Sequence, residues 1–364
     1  MACGGGRPRD ICPLWLGAKG KRPLLLIYNE GMEKRGHIGM CTRRGFVSLA
    51  AGALLAGCSS RATAPEQLQT TFFSFDTVCT VGGIMSQEVL DALVERCQWF
   101  EEHLSRTFAT SDVGRINAAC GAPVEVEPET AEVIRAALGY SRDSGGLFDI
   151  TIGAVTELWD FSEGVVPDPA DIEQALPHVG WEGVSVDGTT VTLADPDARI
   201  DLGGIAKGFI TDDLIARLVG AGVESAFINL GGNVAVLGNK PDGSPWGIGV
   251  RDPFDESGQS NYAMVRTSGG SMVTSGLYER QFEANGRRYW HILDPRTGYP
   301  VESHVVSATV FSERSIDGDG LTKPLFMMDE DQALAFLEDH GVQGMLIHED
   351  GSAVMTDGAE FDLL

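Results

Sequence analysis

Asp-Gly and Asn-Gly dipeptides recur between short runs of β-branched and apolar residues, and they limit the folds open to this chain. Such dipeptides accept the positive φ that a tight hairpin turn requires. Val184–Val186 and Val191–Leu193 flank Asp187-Gly188, Glu279–Glu283 and Arg287–Ile292 flank Asn285-Gly286, and a last hairpin turns at Asp350-Gly351. Thr71–Ile84, Ala198–Leu202, Ala226–Asn229, Val234–Leu237, Trp246–Val250 and His304–Phe311 read as further strands. Helical spacing puts Val89, Leu90, Leu93, Val94, Cys97, Phe100 and Leu104 on one face of Gln87–Leu104. Glu129–Arg142, Ile205–Val219 and Asp331–His340 also read as helices. Strands and helices mix without a βαβ rhythm, and no internal repeat is visible. The expected fold class is therefore α+β, with mixed sheets and packed helices.

The formal net charge of the 364 residues is -25, but its sign is divided. Residues 1–57 carry nine Lys/Arg against three Asp/Glu. The remainder is strongly acidic and repels phosphate backbones, so a nucleic-acid partner is not expected. An acidic body that handles an anionic ligand must concentrate positive charge locally, as a metal or as a few Lys/Arg. The basic N-terminal part reads as an address. From Met40 the chain runs MCTRRGFVSLAAGALLAGCSS, with Arg43 and Arg44 ahead of an apolar run from Phe46 to Ala56. That run is short for a membrane-spanning helix and suits a signal peptide. Leu55-Ala56-Gly57-Cys58 resembles a bacterial lipobox, which predicts cleavage before Cys58 and a diacylglycerol on its thiol. Thr42-Arg43-Arg44-Gly45-Phe46-Val47 also resembles a twin-arginine signal. The expected organisation is an upstream extension (1–39), a signal peptide (40–57), a polar tether (58–70) and one folded body (71–364). A lipid anchor would hold that body on the extracytoplasmic face of a bacterial membrane. Cys58, Cys79, Cys97 and Cys120 would remain in the mature chain, with no Cys-x-x-Cys pair to suggest zinc or redox chemistry.

Three segments carry candidate chemistry. In Asp201-Leu202-Gly203-Gly204-Ile205-Ala206-Lys207-Gly208 a strand runs through two glycines into a helix. Glycine lets a ligand approach the backbone, and a helix N-terminus favours an anion. Asp201 can accept from a hydroxyl or an amine, and Lys207 can neutralise phosphate. The spacing is neither Gly-x-Gly-x-x-Gly nor a phosphate-binding P-loop, and a tight turn would account for the glycines equally well. In Tyr289–Pro300, His291 is a candidate general base. It is also readable as a structural His, with Asp294 capping the Pro295 turn. In Asp317-Gly318-Asp319-Gly320-Leu321-Thr322-Lys323, close carboxylates with a hydroxyl suit a hard cation such as Mg²⁺. A solvated acidic turn is the alternative. No helical His pair and no Gly-x-Ser-x-Gly elbow is present.

Read together and in order with Ser111–Asn117, Gly145–Gly153, Asn229–Asn233 and Thr274–Gly276, these segments resemble the ApbE-type flavin transferases. The resemblance spans about Phe72 to Met328 and is nearly verbatim in DLGGIAKG, HILDPRTGYP and GGLFDITIG. It implies a T-fold-related architecture and an FAD:protein FMN transferase. Such an enzyme attaches FMN from FAD to a Thr or Ser of an acceptor protein and releases AMP, with Mg²⁺. FAD hydrolysis to FMN and AMP, or flavin binding without turnover, would use the same pocket. The resemblance places Phe75, Thr107, Leu147, Phe148, Asp149, Asp201, Lys207 and Leu293 at FAD, and Gly204 (through its carbonyl) and Asp319 at the metal. The family's second metal residue is a Thr four positions after that Asp, where this chain has Lys323. Either the Lys323 ammonium partly replaces the cation, or Lys323 turns outward and Thr322 helps hold the metal.

Overall fold

The first strand expected from the sequence is two strands. The computed structural model describes residues 66–364, so the export signal and Cys58 lie outside the described residues. β1 (Glu66–Ser74) and β2 (Thr77–Met85) form a hairpin through Phe75 and Asp76, at φ 54° and 56°. Phe-Asp carries no turn signature, which is why the turn was hidden. The Glu101 carboxylate holds it in place, accepting from Ser74 Oγ at 2.7 Å and from the Phe75 N–H at 3.1 Å. Because β1 starts at Glu66, the last residues assigned to the tether belong to a strand.

α1 (Gln87–Leu104) has the expected bounds and buries Leu90, Leu93, Cys97, Phe100 and Leu104. α2 (Asp112–Ala118) follows, capped by Ser111 Oγ, where the sequence suggested a loop. Next come β3 (Val124–Glu125), α3 (Pro128–Asp143), α4 (Gly153–Thr156) and α5 (Pro169–Ala175). β4 (Val184–Asp187) and β5 (Thr190–Leu193) make the first expected hairpin. Ala198–Leu202 is no full strand; it has an isolated bridge from Arg199 to Ile152, and Asn117 and the Ile150 carbonyl hold it further. α6 (Ala206–Gly220) then leads to β6 (Ala226–Leu230), β7 (Asn233–Leu237), β8 (Trp246–Arg251), β9 (Asn261–Thr267) and β10 (Gly269–Gly276). β11 (Gln281–Ala284) and β12 (Arg287–Trp290) turn at Asn285-Gly286, as expected. The chain closes with β13 (Val305–Ser312), α7 (Ser315–Thr322), α8 (Glu330–Asp339), β14 (Gln343–His348), β15 (Ala353–Met355) and β16 (Asp362–Leu363).

The frame is an eight-stranded sheet ordered β1-β2-β6-β7-β10-β13-β14-β15, antiparallel throughout. Strand alternation sorts its side chains to two faces. Ile228 and Leu230 pack under α1 and α6, whereas Phe227, Val234, Val236, Met272, Met345 and Ile347 face the small β16-β9-β8 sheet. Helices therefore cover one face and a second sheet covers the other. The α+β class is as expected from the sequence.

The Asp317–Lys323 segment is not a solvated turn. Ser315–Thr322 is helical, and every residue in it except Asp317 is buried. Its glycines are contact points rather than breakers. A Cβ on Gly318 would lie 2.5 Å from Val273, and one on Gly320 would lie 2.5 Å from the Tyr140 ring. Gly208 in α6 has the same role from the opposite side, since its Cβ would meet the Ser315 carbonyl at 2.6 Å. Asp212 of α6 then fastens α7, accepting from the Ser315 and Ile316 amides at 2.7 and 3.1 Å. Gly208→Ala is expected to force α6 and α7 apart and cost about 1–3 kcal/mol, read as a lowered thermal midpoint against an exposed control, Gly220→Ala, which meets nothing.

Candidate active site

The turns β1–β2 and β6–β7, the end of β10, the start of α6 and the end of α7 meet at one end of the main sheet. Gly231 and Gly232 make the β6–β7 turn at φ 59° and 102°, and a Cβ on Gly231 would meet Thr77 Oγ1 at 2.3 Å. Only glycine allows β2 and this turn to approach so closely.

Asp319 is the centre of the cleft floor. Its side chain is 1% exposed, and the Lys207 and Lys323 side chains beside it keep 23% and 21%. The carboxylate is thus buried while both lysine side chains keep partial exposure. Asp319 Oδ2 accepts the Gly208 N–H at 2.7 Å. Lys323 Nζ donates to Asp319 Oδ1 at 2.7 Å and to the Asp319 carbonyl at 3.1 Å. Lys207 Nζ stands 4.0 Å from Oδ1. Burial alone would raise the Asp319 carboxyl, but Lys207, Lys323 and the Gly208 amide outweigh it and hold it below its ordinary value. Burial and the neighbouring Lys207 lower the Lys323 ammonium, with Asp319 opposing them.

The helix start does not present a free crown of amides. The Ala206 N–H donates to the Leu202 carbonyl at 2.8 Å and the Gly208 N–H to Asp319. Positive charge at this end of α6 therefore comes chiefly from the Lys207 side chain. Asp201 accepts from the Gly203 N–H at 2.8 Å and pairs with Arg106 Nε at 3.1 Å. Nothing in the sequence pattern singled out Arg106.

His291 closes the opposite side. Its N–H donates to the Arg280 carbonyl at 3.1 Å, and its Nδ1 is buried without a hydrogen-bond partner among the described residues. Arg280 reaches across to the β1–β2 turn, pairing with Asp76 Oδ2 at 3.0 Å and the Asp76 carbonyl at 3.1 Å. Burial, then Arg280, Lys323 and Lys207, push the His291 pKa down to about 3. The Glu279 carboxylate lies within electrostatic reach of Lys207, Lys323 and Arg280. Neither Glu279 nor Arg280 belongs to a recognisable motif, so only folding reveals them.

The remaining candidates separate. Half-buried Phe75 sits on the positive-φ turn tied to Arg280. Phe148 is packed edge-on to Tyr140, with its Cε2 3.2 Å from the place a Cβ on Gly204 would take, so Gly204 must be glycine for that ring to fit. Leu147 beside it is half-buried. The Asp149 side chain is engaged inside the fold: it accepts from the Thr151 N–H and hydroxyl at 2.7 and 2.6 Å and from the Trp181 N–H at 3.0 Å. Its carboxylate shapes the loop instead of facing a ligand. Leu293 is buried with Trp159 and Tyr289, and Asp294 caps its turn through the Arg296 N–H at 2.8 Å. Thr107 is exposed and bonds Ser105 Oγ at 2.9 Å, one residue from the Arg106 that reaches Asp201.

The expected metal set does not assemble. Thr322 is fully buried, and its hydroxyl meets Ser275 Oγ at 2.9 Å, facing β10 instead of the Asp319 carboxylate. Lys323 turns inward, and its Cε lies 4.0 Å from the Cβ position of Gly204. An ammonium bonded to Asp319 and packed against Gly204 stands among the groups expected to bind Mg²⁺, where a divalent ion would be repelled. The donor set as built fits a monovalent cation supplied by the chain.

A buried carboxylate with two ammonium groups, a buried imidazole and a Gly-Gly turn thus meet on this α+β frame. The ApbE family profile matches residues 71–346, and the chain belongs to that family. It is 36% identical over 280 residues to the FAD:protein FMN transferase of Treponema pallidum, covering 72% of this chain and 77% of that one. It is 40% identical over 243 residues to one from Klebsiella pneumoniae, covering 65% and 75%. The crystal structure of the ApbE protein from Thermotoga maritima superposes with a TM-score of 0.74 at 31% identity, covering 80% of this chain and 97% of that one. The Pseudomonas stutzeri flavinyl transferase ApbE, apo form, gives 0.70 at 28%, covering 80% and 95%.

With its pKa near 3, His291 in the free protein is the neutral imidazole at every higher pH. Nitrogen NMR of labelled histidine is expected to show no titration of this ring between about pH 5 and 8, where an ordinary His titrates. A midpoint near the ordinary value would contradict the three-cation environment.

Proposed function

We propose that this protein transfers the FMN half of FAD to a threonine or serine hydroxyl of an acceptor protein. The observation that carries this reading is the cluster of Lys207 and Lys323 around buried Asp319, facing a neutral His291. An anionic pyrophosphate lies well against two ammonium groups in a chain that is otherwise acidic. The acceptor oxygen attacks the phosphorus nearer the riboflavin. A new O–P bond forms as the bridging P–O bond breaks, AMP departs with the bridging oxygen, and the hydroxyl proton passes to the His291 imidazole. Lys207 and Lys323 meet the charge that develops on the departing phosphate.

A base held at about 3 is weak for this work. Burial is the larger cause of that depression, and the bound pyrophosphate offsets the remainder, which comes from Arg280, Lys323 and Lys207. FAD thus raises the basicity of the imidazole only in the loaded site. Mg²⁺, which the resemblance implies, carries no step here, since Lys323 holds the Asp319 oxygens.

Incubated with FAD and an FMN-acceptor domain, the mature protein is expected to add one FMN mass to the acceptor and release AMP. AMP release at the same rate without acceptor would favour hydrolysis instead. His291→Ala is expected to lower the transfer rate at least about 100-fold, with FAD affinity changed little.

The leader supports a second part of the reading: an enzyme exported and anchored by lipid at Cys58 on the extracytoplasmic face of the membrane. Its basic start, short apolar run and lipobox-like end carry this. No helix among the described residues is long and apolar enough to cross a membrane. Cys58→Ala is expected to move the protein from the membrane to the soluble fraction, and an unchanged membrane share would overturn the anchor.

A further inference from the structure

The structure assigns to Lys323 the place of a bound cation: its ammonium is an internal, covalently held counter-charge for the FAD pyrophosphate, so flavin binding by this chain needs no divalent ion at Asp319. This inference rests on the FAD reading above and deepens it.

Four observations carry it. First, Asp319 and Lys323 are four residues apart across the end of α7, so their side chains share one helix face. The 2.7 Å bond between them is local and survives motion elsewhere. Second, the same ammonium reaches the Asp319 carbonyl at 3.1 Å. A carbonyl in the last turn of a helix lacks an intrahelical donor, and the helix end favours a cation. Lys323 thus satisfies two oxygens that a hard ion would otherwise draw on. Third, Pro324 follows at once and starts a 3-10 turn, ending the helix with Lys323 as its last αR residue. The lysine is anchored by backbone on both sides. Fourth, its Cε lies 4.0 Å from where a Cβ on Gly204 would be, and 21% of the side chain remains exposed. The ammonium has further donor capacity, because Lys carries three N–H groups and no acceptor.

The alternative for Lys323, turning outward, is not what the chain does. Thr322 cannot replace it at the carboxylate, since its hydroxyl faces Ser275 at 2.9 Å. Asp319 therefore has its own counter-ion before any ligand arrives. With Lys207 at 4.0 Å, two positive charges flank the Asp319 carboxylate, and the Glu279 carboxylate lies within electrostatic reach of both. A divalent ion at Asp319 would have to displace Lys323 from the carboxylate and the carbonyl first.

The experiment compares FAD binding, read by quenching of flavin fluorescence, in EDTA and in millimolar Mg²⁺. Wild type, Lys323→Thr and Lys323→Met are used, and Mn²⁺ is titrated into each FAD complex with free ion counted by EPR. Wild type is expected to bind FAD equally, within about twofold, in EDTA and in Mg²⁺, and to take up no stoichiometric Mn²⁺. Lys323→Thr is expected to bind one Mn²⁺ per chain and to lose about tenfold or more in FAD affinity when EDTA is added. Lys323→Met, which keeps the apolar stem but not the charge, is expected to bind FAD about tenfold or more weakly in EDTA. Wild type that binds one Mn²⁺ and loses FAD affinity in EDTA overturns the inference, as does Lys323→Met with wild-type affinity. The wild-type arm alone decides the matter if a variant fails to fold. Metal-dependent FAD binding together with FMN transfer would sink this inference and leave the transferase standing. No FAD binding under any condition would sink both.

Discussion

A carboxylate buried in a protein interior is costly unless charge and hydrogen bonds surround it, and Asp319 is the group around which this structure is arranged. The Gly208 amide, the Lys323 ammonium and nearby Lys207 offset that cost. Each partner imposes a demand on the frame. For the Gly208 amide to reach Asp319, α6 and α7 must touch with almost no side-chain volume between them. Gly208 against Ser315, Gly318 against Val273 and Gly320 against Tyr140 supply that contact. Asp212, lifted to about 6 by burial in spite of two backbone hydrogen bonds, holds the far end of α7 to α6. Removing the Asp319 charge would leave Lys323 and the Gly208 amide without their acceptor, so the glycine contacts and the ion pair depend on one another.

The same cluster settles the electrostatics of the cleft. A chain with net charge -25 would hold an anionic cofactor poorly if its charge were uniform. Lys207, Lys323 and Arg280 gather where the sheet ends, and burial together with these cations lowers the His291 pKa. Arg280 also joins both walls, since it pairs with Asp76 on the β1–β2 turn while its carbonyl accepts the His291 backbone N–H. Phe75, next to Asp76, is held at positive φ in that turn, a conformation that persists only where neighbours over-determine it. Glu101 and Arg280 are those neighbours.

Much of this was legible in the residues. α1 appears with the bounds that its apolar spacing implied, and the Asn285-Gly286 turn forms as its φ values require. The α+β class followed from hairpin chemistry, and the segments that carry chemistry were found because their order matched one family. Errors arose where local signals are weak. Phe75-Asp76 has no turn residues, so one strand was read where there are two. Gly318 and Gly320 made a buried helix look like a loop, because glycine lowers helix propensity whatever packing later requires. The Asp149 carboxylate, in a segment the resemblance puts at FAD, accepts three hydrogen bonds from its own loop and from Trp181, which no local pattern showed.

By itself the sequence determined the class of fold, the family, the acidic body with its basic N-terminal part, and the presence of a lysine where the resemblance puts a threonine. These are properties of composition, short-range pattern and residue identity. Only the tertiary structure decided which way Lys323 points, that Thr322 faces Ser275, that Arg106 and Arg280 join the site, and that His291 is stripped of its proton. Those facts depend on groups far apart in the chain meeting in a region of low polarity, where a few ångströms determine whether charges attract, repel or are screened.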